Sequence, residues 1–75
     1  MKTLIGIQEE YVATVNAGIA RWAHRKDGGH AGRIMRGARR RAEGELRRLG
    51  FTDSQVAAAI GDARDMAALL RLAGE

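Results

Sequence analysis

The sequence has no cysteine and no proline, and it has one residue each of phenylalanine, tryptophan and tyrosine. The lack of cysteine excludes a disulfide framework, thiol chemistry and a zinc–thiolate site, and it suits a reducing cytoplasm. No apolar run approaches the roughly 18 residues that a membrane span needs, and the amino terminus lacks the pattern of a signal peptide. We therefore expect a cytoplasmic protein without a membrane partner.

The length of 75 residues fits one domain covering residues 1–75. Fourteen of the apolar residues are alanine, which leaves about twenty large apolar side chains for the core. This is enough for one thin core and too little for a deep catalytic cavity.

The net charge of +4 is distributed unevenly along the chain. Residues 1–23 are neutral, residues 49–75 carry −2, and residues 24–48 carry +6. The positive field is therefore concentrated in the middle third of the sequence.

Three amphipathic segments predict an all-α domain of three helices. The first helix is expected over about residues 7–25, and the pattern leaves open whether residues 1–7 are helical or form an extended arm. A glycine-rich loop, residues 26–32, separates it from a second helix over about 33–49. The third helix is expected over 53–73.

The connection between the second and third helices carries the clearest local signals. Gly50 stands where a left-handed residue closes a helix, and Phe51 is spaced to contact Leu46 as in a Schellman motif. Thr52 and Gln55 have the spacing of a capping box, which begins the next helix. A tight corner is predicted here.

The third helix is expected to pack through one stripe, with Val56, Ala59, Ile60, Ala63, Met66, Ala67 and Leu70. Leu69 and Leu72 fall off this stripe. Either the first helix covers them, or they form a small contact site for a protein partner, together with Trp22 if that side chain is exposed.

The second helix separates its residues into two faces. At about 100° per residue, one arc of about 120° holds Ile34, Met35, Ala38, Ala42, Leu46 and Leu49. The opposite side holds almost only basic side chains, with Glu43 as the acid nearby. We define the arginine face as the four residues within about 60° of one another and the three that flank them: Arg33, Arg36, Arg40 and Arg47, with Arg39, Arg41 and Arg48.

Catalytic and cofactor sites are not indicated. His24, Asp27 and His30 are the only cluster of metal-ligand types, and their spacing matches no known metal motif, so no metal is expected. The glycines before the second helix lack the strand and the lysine of a nucleotide-binding loop. No nucleophile, base and orienting group stand together, so we expect a protein that is not an enzyme and holds no cofactor.

The arginine face is the strongest functional signal, because guanidinium groups bind phosphate oxygens in a bidentate manner. Within it, the residues from Met35 to Glu43 (MRGARRRAE) resemble the arginine-rich helices of phage antitermination proteins, over about fifteen residues. The resemblance implies an RNA or transcription-complex partner. Gly37 and Gly44 and the lack of a following aromatic residue depart from that pattern.

We therefore expect a small regulator of phage type. Its basic helix would dock on an RNA or DNA backbone, or on an acidic surface of a nucleic-acid-handling complex such as the transcription machinery. The alternative is a protein–protein inhibitor, blocking RNA polymerase or resembling anti-CRISPR proteins, without nucleic-acid contact. A structural oligomeriser built on Leu69 and Leu72 is a third possibility. A helix-turn-helix that reads DNA through the third helix is disfavoured, because Asp53, Asp62 and Asp65 would repel phosphates.

Overall fold

The fold is all-α, with three helices in a bundle. The computed structural model describes residues 2–22 and 28–73, without the side chains of residues 22 and 28–31. Helix α1 covers Leu4–Trp22, α2 covers Gly28–Arg48 and α3 covers Asp53–Ala73. The three-helix prediction is confirmed.

The side-chain amide of Gln8 donates to the backbone carbonyl of Ala59, and the side-chain amide of Asn16 donates to the backbone carbonyl of Ala67. Both pairs are separated by 51 positions, so α1 and α3 run parallel. Gly18 approaches Ile34 while Lys2 reaches the other end of α2, which makes α2 antiparallel to α1.

Helix α1 begins at Leu4, earlier than the predicted start near residue 7. Thr3 caps it, because its hydroxyl oxygen accepts a hydrogen bond from the Gly6 amide at 3.0 Å. The Thr3 carbonyl also accepts from the amide of Ile7. This N-cap outweighs the poor helix propensity of Ile5 and Gly6, so residues 4–7 are helical and not an extended arm. The predicted extension over 23–25 lies outside the described residues.

Helix α2 begins at Gly28, five residues before the predicted start. Residues 28–32 of the predicted glycine-rich loop are therefore helical, while Lys26 and Asp27 lie outside the described residues. Glycine weakens a helix by about 1 kcal/mol but permits helical backbone angles. Because each residue added to an existing helix gains a hydrogen bond, α2 extends backwards through them.

The corner between α2 and α3 forms as predicted. Gly50 has a φ of 96°, and its amide donates to the carbonyl of Arg47. The amide of Phe51 donates to the Leu46 carbonyl at 3.3 Å, which completes the Schellman motif. The Thr52 hydroxyl accepts from the amide of Gln55, and the Gln55 side chain accepts from the amide of Thr52, as in a capping box.

The core lies between the three helices. It contains Ile7, Tyr11, Val12 and Val15 from α1, Ala42 and Leu46 from α2, and Val56, Ala59, Ile60, Ala63 and Ala67 from α3. Leu46 is fully buried. One core alanine on α2, three on α3 and the glycine at position 18 allow close helix approach, as small residues do.

The predicted packing stripes are wrong at three positions. Met66, Leu70 and Leu49 are exposed. Leu49 follows the last residue of α2 and stands in the turn. The packed surface does not end before them, because Ala67 between the two is buried; Met66 lies at the edge of the stripe, about 100° around α3 from Ala67.

Candidate functional site

The arginine face lies on the outer side of α2. All seven of its arginines are exposed. On the opposite side of the same helix, Ala42 and Leu46 are buried in the core and Met35 and Ala38 pack against it. The helix therefore presents its guanidinium groups outward because its apolar side is anchored against α1 and α3.

Two of the seven arginines pair with carboxylates. Arg39 Nε lies 2.7 Å from Glu43 Oε1, one helical turn away. Arg47 lies 3.6 Å from the other oxygen of Glu43 and 3.3 Å from Asp53. Each of these arginine side chains remains about half exposed (54%), so the pairs are surface ion pairs that a competing anion can displace.

The other five arginines have no carboxylate partner among the residues that the structure describes. They are Arg33, Arg36, Arg40, Arg41 and Arg48. Arg36 extends back along α2, because its guanidinium lies 3.4 Å from where a Cβ on Gly32 would be. These guanidinium groups keep their hydrogen-bonding capacity for an external anion.

The second carboxylate of α2 is engaged elsewhere. Glu45 lies 2.6 Å from the Lys2 ammonium, which also contacts Glu10 at 3.0 Å. The hydrogen bonds that Lys2 donates to Glu45 and Glu10 raise the pKa of Lys2 above its ordinary value, because both favour the charged ammonium. Lys2 thus neutralises acids that border the arginine face and leaves its cations uncompensated.

Two glycines interrupt the basic surface. No heavy atom lies within 4 Å of the Cβ position of Gly37 or of Gly44, apart from their chain neighbours and their own helix backbone. The Cβ positions of both glycines are therefore open, and Gly37 is exposed while Gly44 is half-buried.

A second exposed surface lies near the carboxyl end of α3. We name it the leucine face and define it by Met66, Leu69, Leu70 and Leu72, which are 41%, 66%, 54% and 67% exposed. Helix α1 does not cover Leu69 and Leu72, so the first of the two interpretations of these residues is wrong. The side chain of Trp22, the third residue of the predicted contact, lies outside the described part.

The expectation that the histidine region binds no metal stays a prediction. His24 and Asp27 lie outside the described residues, as does the side chain of His30. Within the parts of the chain that are described, no three residues of metal-ligating type come together.

Sequence reasoning missed two contributions to this site. One is Asp53, which begins α3 and reaches Arg47 across the corner. Its position three residues after Gly50, inside the capping box, indicates such a contact, since a tight corner brings the ends of two helices together. The other is Lys2, 43 positions from Glu45, for which no local pattern exists.

Comparison with known protein families, with curated proteins and with solved structures finds no match for this chain. Across residues 2–22 and 28–73, the helices lack an apolar stretch of the length required to cross a bilayer.

Proposed function

We propose that this protein is a small non-enzymatic regulator of the cytoplasm that docks its arginine face on nucleic acid. One observation carries the proposal: five exposed guanidinium groups on one helix have no carboxylate partner among the described residues. Phosphate oxygens are the acceptors that guanidinium groups bind best, with two parallel hydrogen bonds.

The charge of α2 supports a polyanionic partner. Between Gly28 and Arg48 there are seven arginines and two glutamates, a net charge of +5. Like charges one turn apart destabilise an isolated helix by about 0.2–0.5 kcal/mol a pair. A partner carrying phosphates removes this repulsion on binding and also releases its own condensed counterions, which contributes most of the affinity in such complexes.

The biological setting that we propose is transcription. It rests on the resemblance of residues 35–43 to the arginine-rich helices of phage antitermination proteins. A protein of this size would redirect a larger machine by occupying one of its surfaces. We propose a phage-type regulator of the transcription machinery.

The test compares two variants of equal charge. Arg36→Gln with Arg40→Gln removes two cations from the arginine face, and Ala57→Glu with Ala58→Glu lowers the net charge equally on exposed positions of α3. Fluorescence anisotropy with a labelled 20-base-pair duplex at several salt concentrations measures both. We expect the arginine variant to lose about two units from the slope of log affinity against log salt, about one for each lost phosphate contact.

The variant with Ala57→Glu and Ala58→Glu is expected to keep the wild-type slope, because its new charges lie away from the contact. Equal slopes for the arginine variant and the wild type would reject the proposal. Circular dichroism of each variant checks that the helices remain.

The leucine face favours a second candidate, a protein–protein inhibitor of a host enzyme complex such as RNA polymerase. Such an interface has an apolar centre and keeps its affinity at high salt. Capture of a partner from host lysate separates the two functions: a complex that survives nuclease treatment and 0.5 M salt, and that Leu69→Ser with Leu72→Ser abolishes, supports the inhibitor.

A further inference from the structure

We infer that α2 enters the major groove of B-form DNA along its length, with its flanking arginines directed to the phosphates of both strands. This inference rests on the proposed function and specifies its ligand. It differs from a helix-turn-helix, because the inserted helix is α2 and not the acidic α3.

The arginine face is wide. At about 100° per residue, the arginine face spreads over about 200° of the helix circumference, from Arg39 at one edge to Arg41 at the other. A helix lying beside a single strand uses one row of cations. Cations on both flanks match a helix between two strands, and the B-form major groove, about 12 Å wide, admits an α-helix.

The exposed side of α2 lacks side chains at two glycine positions. Gly37 and Gly44 lie between the row of Arg33, Arg40 and Arg47 and the row of Arg41 and Arg48. The space where their side chains would stand is open. An α-helix with side chains is about 10–12 Å across, so two absent side chains beside the central row let the backbone approach the floor of such a groove on that side.

The composition and length of α2 favour a DNA duplex over other nucleic acids. Residues 32–48 contain no aromatic residue, whereas proteins that bind single strands stack bases on aromatic side chains. The major groove of A-form RNA is deep and narrow, which keeps a whole helix out. Arg33 to Arg48 extends about 22 Å at 1.5 Å per residue, which is about six base-pair steps of B-form DNA.

The experiment fills the glycine positions. Gly37→Leu adds a side chain between the arginine rows, and Gly61→Leu is the matched control, since Gly61 is also an exposed helical glycine with open space around it. Leucine favours helix over glycine, so both variants are expected to fold. The ligands are a 20-base-pair DNA duplex, the same length of single-stranded DNA and of duplex RNA, and inorganic polyphosphate.

We expect the wild type to bind the DNA duplex more tightly than the other three ligands. Gly37→Leu should bind the duplex about tenfold more weakly, as for one lost direct contact, with unchanged affinity for single strands and polyphosphate. Gly61→Leu should bind all four like the wild type.

Two results overturn the inference while leaving the proposed function intact. One is equal affinity of Gly37→Leu and Gly61→Leu for the DNA duplex, and the other is tighter wild-type binding to single strands or to duplex RNA. Absence of binding to every one of the four ligands would overturn the proposed function as well.

Discussion

At the scale of single residues, glycine has opposite effects at different positions. Gly18 is buried, and a Cβ there would lie 2.9 Å from Cγ2 of Ile34. Gly37 is exposed and has open space. The first glycine permits α1 and α2 to come close together, whereas the second makes no helix contact and lowers the stability of its own helix in the free protein.

The substitution Gly18→Ala tests this difference. We expect it to lower the free energy of unfolding by about 1–3 kcal/mol, because the new methyl group overpacks a β-branched side chain in a helix interface. Gly37→Ala is the control and should raise stability by about 0.5–1 kcal/mol. Urea unfolding followed by circular dichroism measures both, and a stabilising Gly18→Ala would show that the two helices separate easily.

Lys2 gives a prediction on pH. Its pKa is raised in the folded state by Glu45 and Glu10, so its stabilising effect is complete below the ordinary lysine pKa of 10.5 and is lost as the pH rises through the folded value. We expect Lys2→Met to melt below the wild type at pH 7. The difference in melting temperature should shrink as the pH rises beyond 10.5 and vanish above the folded-state pKa, and a difference that persisted there would assign the effect of Lys2 to packing.

At the scale of elements, the corner between α2 and α3 is where sequence and structure agree best. The Schellman motif and the capping box both involve residues within five positions of one another. Such hydrogen bonds depend on local conformation alone. For the same reason, the bounds of α3 were predictable to the residue, and the end of α2 to within one.

The cost of losing this corner can be measured. Gly50 has a left-handed backbone, so Gly50→Ala should lower stability by about 1–2 kcal/mol. Thr52→Ala removes the N-cap of α3 and should cost about 1 kcal/mol. Ser54→Ala is the control in the same turn, and we expect a change within 0.5 kcal/mol in urea unfolding. A Gly50→Ala variant as stable as the control would mean that the corner relaxes into another turn.

Features set by contacts between helices were not predictable from local patterns. The early start of α2 at Gly28 depends on extension from a helix that tertiary packing already holds. The exposure of Leu70 depends on which side of α3 the other two helices cover. By contrast, the outward position of the arginine face followed from helical periodicity, since an opposite apolar side fixes which side meets solvent.

At the scale of the whole molecule, the arginine face and the leucine face lie on different helices. The arginine face occupies α2, while the leucine face lies on α3, whose exposed residues include Asp62 and Asp65. The chain could associate with itself through either surface, and salt has opposite effects on the two contacts. Contact between arginine face and α3 acids weakens with salt, whereas contact between two leucine faces strengthens as the repulsion of their aspartates is screened.

We expect the second mode, and only as a weak association. Four partly exposed side chains offer less than the roughly 800 Å² per partner that a stable interface buries. Sedimentation equilibrium should therefore find a monomer at micromolar concentration in 0.05 M salt, with some dimer in 0.5 M salt. Leu69→Ser with Leu72→Ser should abolish that dimer, while affinity for the DNA duplex stays at the wild-type value because the arginine face is untouched. A dimer that instead dissolves at 0.5 M salt would identify the arginine face as the contact, and nucleic acid and self-association would then compete for one surface.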